Sequence, residues 1–175
     1  MAKGQAERLI GMLQELLAEG GIGWRDLDAL GVGTGPGNFT GVRISVAAAR
    51  GFALALGIPA VGVTRLEALA HGLPRPLTVL EDARRDEVYL QAFGMGGAEP
   101  ARLVPLAGLC IEGPVTGSGA ALAGLPGLPP AMPLAEAIAR IAAARAAPGL
   151  PPPAPFYLRG AEAAPPADPP VVILP

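Results

Sequence analysis

A glycine-rich loop contains the residues of this sequence whose types and spacing could do chemistry. It reads GTGPGNFTG over residues 33–41, between a short apolar run and a long one. Between a strand and a helix, such a loop presents backbone N–H groups beside the positive end of the helix dipole, and this arrangement binds anions. A structural turn, in which glycines adopt positive φ and Pro36 fixes its own, is the alternative. The candidate phosphate contacts are Gly35, Gly37, Thr40 and Arg43.

Neither of the two standard phosphate-binding motifs is present around this loop. The Walker motif needs a lysine after its glycines, and no lysine follows Lys3 in the sequence. The dinucleotide motif G-x-G-x-x-G, started at Gly33, needs a glycine at the position of Asn38. The loop by itself therefore leaves both phosphate contact and a structural turn open.

Metal and covalent chemistry have few candidate side chains. The single histidine, His71, excludes a metal site of the H-x-x-x-H kind, and the single cysteine, Cys110, excludes an internal disulfide or a thiolate zinc cluster. We predict that His71 caps the end of a short helix and that Cys110 is an inert core thiol. Residues 82–87 are predicted to be a solvated hairpin tip with local ion pairs. No catalytic residue and no metal ligand is predicted.

Composition indicates a globular protein of the cytoplasm with a proline-rich end. The 175 residues are 51% hydrophobic but only 4% aromatic, so the core must consist of small aliphatic side chains. The 13 basic and 15 acidic residues give a net charge of −2 and form no basic face, which disfavours nucleic-acid binding by the chain alone. No secretory signal is predicted, because residues 1–3 run directly into an amphipathic helix. No membrane helix is predicted, because the longest charge-free stretch is broken by prolines and glycines.

The apolar pattern predicts an α/β chain in two lobes. Helical spacing is found at residues 5–19, 42–56, 64–70 and 134–147, and short buried strands are predicted at 29–33 and 58–63. Beyond Leu73 the pattern changes to a hairpin with strands at 76–81 and 87–93, followed by strands near 102–106 and 114–116. We predict a first lobe at 1–72, a second, smaller lobe at 73–160 and a proline-rich tail at 161–175.

Ten residues of the glycine loop and the following helix form a more specific signal than the glycines alone. The string GPGNFTGVRI at residues 35–44 resembles the G-P-G-S-F-T-G-[LV]-R-[IV] signature of the bacterial TsaB (YeaZ) family. The similarity extends over residues 6–159 through DLDAL at 26–30, IPAVGV at 58–63 with Leu66, DARRDEVY at 82–89, GSGA at 117–120 and YLR at 157–159.

The resemblance implies a fold, a function and partners. The fold is the actin-like, ribonuclease H-like α/β architecture of two related lobes. The implied function is that of a non-catalytic subunit, which dimerises with a TsaD-like catalytic threonylcarbamoyltransferase and activates it. That enzyme modifies N6 of the adenosine beside the tRNA anticodon. A TsaE-like P-loop ATPase completes the implied complex, and tRNA contacts this subunit only through the complex. The resemblance implies no cofactor of its own, leaves ATP or ADP a candidate at the complex interface, and suggests a homodimer in isolation.

Two helices are predicted to form the partner interface. The charges of helix 42–56 are Arg43 and Arg50, seven residues apart and so on nearly the same face, and the rest of its circumference is mostly apolar. Such a helix needs cover on two sides. The sheet supplies one, and either the second lobe or a partner supplies the other. With helix 5–19 beside it, we predict a partner contact through Leu9, Leu13, Leu16, Val46, Ala49, Arg50 and Ala53.

An enzyme of the same superfamily is the alternative, either a glycoprotease-like hydrolase or a kinase-like ATPase that binds nucleotide. A hydrolase needs a nucleophile beside a base, for which His71 is the one histidine. A kinase of this superfamily needs an opening strand pair with an aspartate that positions metal and phosphate, and no such element precedes Lys3.

The resemblance also implies opening strands with an I-L-A-[IL]-D-T-[AST] stretch, which pair beside the strand at 29–33. Met1 runs directly into the first helix, so we expect these strands to be missing from the first lobe. We attribute this either to a start assigned too far downstream or to a partner that completes the sheet.

Overall fold

Two β-sheets and five α-helices make up residues 5–159, the part of the chain that the computed structural model describes. The helices are α1 (Gln5–Glu19), α2 (Phe39–Leu56), α3 (Arg65–Ala70), α4 (Gly119–Leu122) and α5 (Leu134–Arg145), with a 3₁₀ turn at Trp24–Asp26. The strands are β1 (Leu30–Gly33), β2 (Ala60–Val63), β3 (Leu77–Asp82), β4 (Glu87–Gly94), β5 (Gly97–Ala98), β6 (Arg102–Pro105), β7 (Val115–Thr116) and β8 (Gly127–Leu128).

The first sheet pairs β1 and β2 in parallel, with Leu30 opposite Ala60. Among residues 5–159 it contains these two strands, as the sequence predicts. Helix α5 lies close against β1: a Cβ atom added at Gly31 would come within 2.9 Å of the Ala142 Cβ, so only glycine leaves room for the helix. The sequence places α5 in the range of the second lobe, whereas its buried residues Ala137 and Ile141 share a core with β2. The fold therefore brings this late helix back to the first sheet.

The second sheet has the strand order β5-β4-β3-β7-β8, with β6 also paired to β4. The predicted hairpin is confirmed: β3 and β4 are antiparallel, with Leu80 opposite Leu90. Strand β7 pairs in parallel with β3, and β8 pairs with β7. The two-residue strands β5 and β8 and the helix α4 have no counterpart in the sequence prediction. Their length explains this, because a periodic pattern needs more residues than they offer.

Helix α2 begins at Phe39, three residues before its predicted start. Asn38 is its N-cap, and its Oδ1 accepts a hydrogen bond from the Gly41 N–H at 2.9 Å. The helix ends at Gly57, which has φ +70. By length and composition α2 is apolar enough to cross a membrane, but it is followed directly by β2 and packs Val46 and Ala49 against Val32 of β1. This is the geometry of a helix packed on a sheet.

Helix α1 is the least covered of the longer helices. Three of its apolar side chains are exposed to solvent: Ile10 (50%), Met12 (46%) and Leu16 (61%). Leu9, Leu13 and Leu17 are half-buried, and none of them belongs to a hydrophobic core cluster of residues 5–159. An amphipathic helix derives most of its stability from burying its apolar face, and much of the apolar surface of α1 is uncovered in the isolated chain.

Candidate functional site

The glycine loop is largely a buried turn. Thr34, Gly35 and Pro36 are buried, and the Gly35 carbonyl accepts a hydrogen bond from the Arg65 N–H at 2.7 Å. Gly35 has φ +101, and a Cβ atom there would lie 3.0 Å from the Phe156 carbonyl oxygen. A side chain at this position would be strained by the backbone conformation and crowded by that carbonyl. The structural turn explains Gly35 fully, without a ligand.

A polar cleft of about 490 Å³ opens where this loop faces the second sheet. Of the predicted phosphate contacts, Gly37 lines the cleft, Thr40 is exposed but does not line it, and Gly35 is buried. The other wall comes from β3, the hairpin tip and the residue before α4. The lining comprises Pro36, Gly37, Asn38, Phe39, Arg65, Glu81, Asp82, Ala83, Arg84, Tyr89 and Ser118.

A buried carboxylate organises the floor of the cleft. Glu81 is 6% exposed, and it accepts hydrogen bonds from the Arg65 Nε and, at 2.8 Å, from the Ser118 N–H. The Ser118 hydroxyl in turn accepts a bond from the Asp82 N–H at 3.0 Å. Sequence reasoning missed this network because its members lie 16 and 37 positions apart. A buried charge needs such partners, so the network fixes the two walls relative to each other.

The ion pairs of the hairpin tip are not all local, although the sequence predicts them to be. Glu87 pairs with Arg159 at 2.6 Å, and the same guanidinium donates to the Ala83 carbonyl at 3.0 Å. Desolvation lowers the pKa of Arg159, but its hydrogen bonds to Glu87 and Tyr89 outweigh this and hold the pKa above its ordinary value. The prediction of local ion pairs is therefore wrong for Glu87, whose partner belongs to the YLR string.

Arg43 is held by two aromatic side chains. Its Cζ lies 3.8 Å from the centroid of the Phe39 ring, and its Nε donates to the Tyr157 hydroxyl at 3.0 Å. The two rings are 5.0 Å apart. The string GPGNFTGVRI contributes Phe39 and Arg43, and YLR contributes Tyr157, so the fold joins two of the strings that carry the resemblance.

Two predicted interface residues, Val46 and Ala49, are buried in the isolated chain. They are 2% and 9% exposed and pack against Val32 of β1, and Ala49 also lines the apolar cavity described below. Arg50 is exposed and Ala53 half-buried, and both line a groove at the end of α2. Leu9, Leu13 and Leu16 line an apolar cavity of about 310 Å³ between α1, α2 and β1.

The remaining candidates have no chemical role that the geometry supports. His71 is the C-cap of α3, and its backbone N–H donates to the Ala68 carbonyl. Cys110 is exposed, so the prediction of a core thiol is wrong: it follows β6 in a surface segment rather than in the sheet. Within residues 5–159, no three His, Cys, Asp or Glu side chains are grouped closely enough to hold a metal ion.

Comparisons of the sequence and of the fold with known proteins find relatives of one kind. Residues 1–103 match the family model described as TsaD, tRNA N6-adenosine threonylcarbamoyltransferase. An uncharacterized protein of Mycobacterium tuberculosis, Rv3421c, is 37% identical over 169 residues, which are 94% of this chain and 79% of that protein. The Escherichia coli tRNA threonylcarbamoyladenosine biosynthesis protein TsaB is 40% identical over 89 residues, covering 47% of this chain and 38% of TsaB. A Pseudomonas aeruginosa crystal structure, described as similar to peptidase YEAZ, superposes with a TM-score of 0.67 at 27% identity and covers 88% of this chain and 84% of its own.

Two sheets with helices around them and a polar cleft between define the chain as an α/β protein of the actin-like class. The glycine-loop string and these relatives narrow the class further. The chain belongs to the TsaB (YeaZ) family.

Proposed function

We propose that the chain is a non-catalytic subunit in the formation of N6-threonylcarbamoyladenosine in tRNA, and that it binds and activates the catalytic threonylcarbamoyltransferase. Its relation to TsaB supports a role in this biosynthesis. The finer assignment as an activating partner rests on one structural observation, the uncovered apolar face of α1.

This face has the composition of an interface core. On this face Met12 and Leu16 expose large apolar side chains one turn apart. Between α1, α2 and β1 lies the apolar cavity of about 310 Å³, which is large enough for side chains of a partner. A stable interface buries about 1,200–2,000 Å² in total, and its centre is typically apolar. The catalytic subunit is the proposed occupant, and a second copy of the chain occupies the face when that subunit is absent.

The direct test is co-purification of the full chain with the catalytic subunit of the same cell. We expect one peak of combined mass in size-exclusion chromatography with light scattering, and tRNA modification that requires both proteins. Separate elution of the two proteins together with full modification by the transferase alone would exclude the proposed role. A P-loop ATPase as third component, and ATP or ADP at the interface, belong to the same proposal. The cytoplasm remains the predicted location.

We expect the isolated chain to have no turnover and no stoichiometric transition metal. The sequence lacks the H-x-x-x-H pattern, which a metal-dependent hydrolase would need, and it lacks the Walker lysine, which a P-loop ATPase would need. Elemental analysis and a steady-state ATP hydrolysis assay check this. Iron or zinc at one equivalent, or sustained hydrolysis that survives further purification, would favour the enzymatic alternative.

A further inference from the structure

The stack of Phe39, Arg43 and Tyr157 is the surface feature that the proposed function leaves unused. Phe39 and Tyr157 are 41% and 42% exposed, and neither belongs to a hydrophobic core cluster of the described residues. Arg43 is also exposed, and no carboxylate between residues 5 and 159 lies within ion-pair distance of it. The stack therefore presents two aromatic rings and one uncompensated positive charge to solvent.

The stack stands on the rim of the polar cleft, because Phe39 also lines it. The cleft offers hydrogen-bonding groups from Asn38 and Ser118, a second cation in Arg84 and, beside it, the Asp82 carboxylate, so a phosphate contact here is weak. A cationic ligand is disfavoured by the positive charge of Arg43, whose Cζ lies 3.8 Å from the Phe39 ring centroid and 5.9 Å from that of Tyr157. An apolar protein segment is disfavoured by the polar lining. A planar π-system joined to an anion matches both parts of the site.

We infer that the Phe39–Arg43–Tyr157 stack and the adjoining cleft bind one unpaired nucleotide of an RNA strand. Unpaired bases stack on aromatic rings and on arginine guanidinium planes, whereas duplex RNA hides those base faces. Arg43 and Arg84 are the available phosphate contacts. This inference rests on the proposed function, which supplies tRNA as the RNA, and it adds a direct contact that the sequence did not predict.

The small number of cations at the site predicts weak RNA binding, with an affinity that depends little on salt concentration. With two cations at most facing phosphates, the slope of log K against log salt is about −1.4 or shallower for a single strand. We expect a labelled unstructured oligonucleotide of about six nucleotides to bind the full chain more tightly than a blunt RNA duplex or free AMP. AMP that binds as tightly as the oligonucleotide, or no saturable binding up to about 1 mM, would overturn the RNA assignment.

Two variants with a matched control test the residues. Phe39→Leu keeps an apolar side chain without a π-face, and Arg43→Gln removes the charge. We expect each to weaken oligonucleotide binding about 10-fold, as loss of one stacking partner does. Arg50→Gln makes the same charge change two turns along α2 on an exposed residue outside the site, and its affinity should stay within about twofold. Equal affinities of Arg43→Gln and Arg50→Gln would contradict the inference.

Two further readouts separate this inference from the proposed function. Photo-crosslinking with a thiouridine-containing oligonucleotide should label peptides that contain Phe39 or Tyr157, and labelling confined to other peptides would overturn the site. Phe39→Leu and Arg43→Gln should still co-elute with the catalytic subunit, because neither residue lies on the exposed face of α1. Intact co-elution without any RNA contact would refute this inference alone, whereas failed co-elution of the unaltered chain would refute the proposed function.

Discussion

Leu16→Glu is expected to abolish binding of the catalytic subunit without unfolding the chain. Leu16 is 61% exposed, so a carboxylate there remains hydrated in the free protein and disturbs little of the core. In the complex the same carboxylate would lie unpaired in a dry apolar contact, which costs about 3–5 kcal/mol. Because about 1.4 kcal/mol corresponds to a tenfold change in Kd, we expect affinity to fall by at least 100-fold. Titration calorimetry or co-elution with the catalytic subunit measures this loss.

Gln14→Glu is the matched control for Leu16→Glu. It adds the same charge to the same half of α1, so both variants experience the same helix dipole, but it replaces an exposed polar side chain. We expect it to bind the catalytic subunit nearly as well as the unaltered chain. If Leu16→Glu folds and co-elutes as Gln14→Glu does, the partner does not contact α1. The uncovered apolar face of α1 would then no longer support the proposed function.

Gly117→Ala should strongly destabilise the fold. A Cβ atom at Gly117 would lie 2.2 Å from the Leu80 carbonyl oxygen, and the residue has φ +102, which side chains disfavour. Leu80 is fully buried in β3, so the strand has little room to yield. We expect the free energy of unfolding to fall by about 4 kcal/mol and Tm by about 10 °C. Because Gly117 precedes Ser118, which binds Glu81, the polar cleft should be disturbed as well.

Gly124→Ala separates the two causes of this effect. Gly124 also has positive φ, at +68, but a Cβ atom there would meet nothing within 4 Å. Its replacement should cost only the conformational term, about 1 kcal/mol. Urea or thermal unfolding of both variants gives the difference, which reports the close approach of Gly117 to β3. Equal unfolding midpoints would show that this approach is absent from the protein in solution.

Local patterns were sufficient to predict most elements of the fold. The N-cap Thr64 accepts a hydrogen bond from the Glu67 N–H three residues ahead, so the signal for the start of α3 lies within a single turn. The hairpin of β3 and β4 likewise has its strands and its turn adjacent in the sequence. The position of α5 was not predictable in this way, because a helix pattern shows that a face is buried but not which sheet buries it.

For the same reason, only part of the candidate site could be predicted from the sequence. Spacing drew attention to Gly35, Gly37 and Arg43, but the chemistry of the cleft depends on pairs that are distant in sequence. Arg43 and Tyr157 lie 114 positions apart, and Glu87 and Arg159 lie 72 apart. Any charged or aromatic residue of the chain could have filled these roles as far as local pattern shows. The fold selects among them by placing Tyr157 against Arg43 of α2 and Arg159 against Glu87 of β4.

The sequence by itself determined that α2 is an apolar helix that needs cover on more than one side, and its glycine-loop string determined the family. Only the tertiary structure decided which side of α2 faces inward. Val46 and Ala49 turned out to be buried against β1, while Leu54 projects into solvent. A helix that is apolar around most of its circumference has no intrinsic preferred face, so its rotation is fixed by the fit of its side chains to the sheet and not by its own pattern.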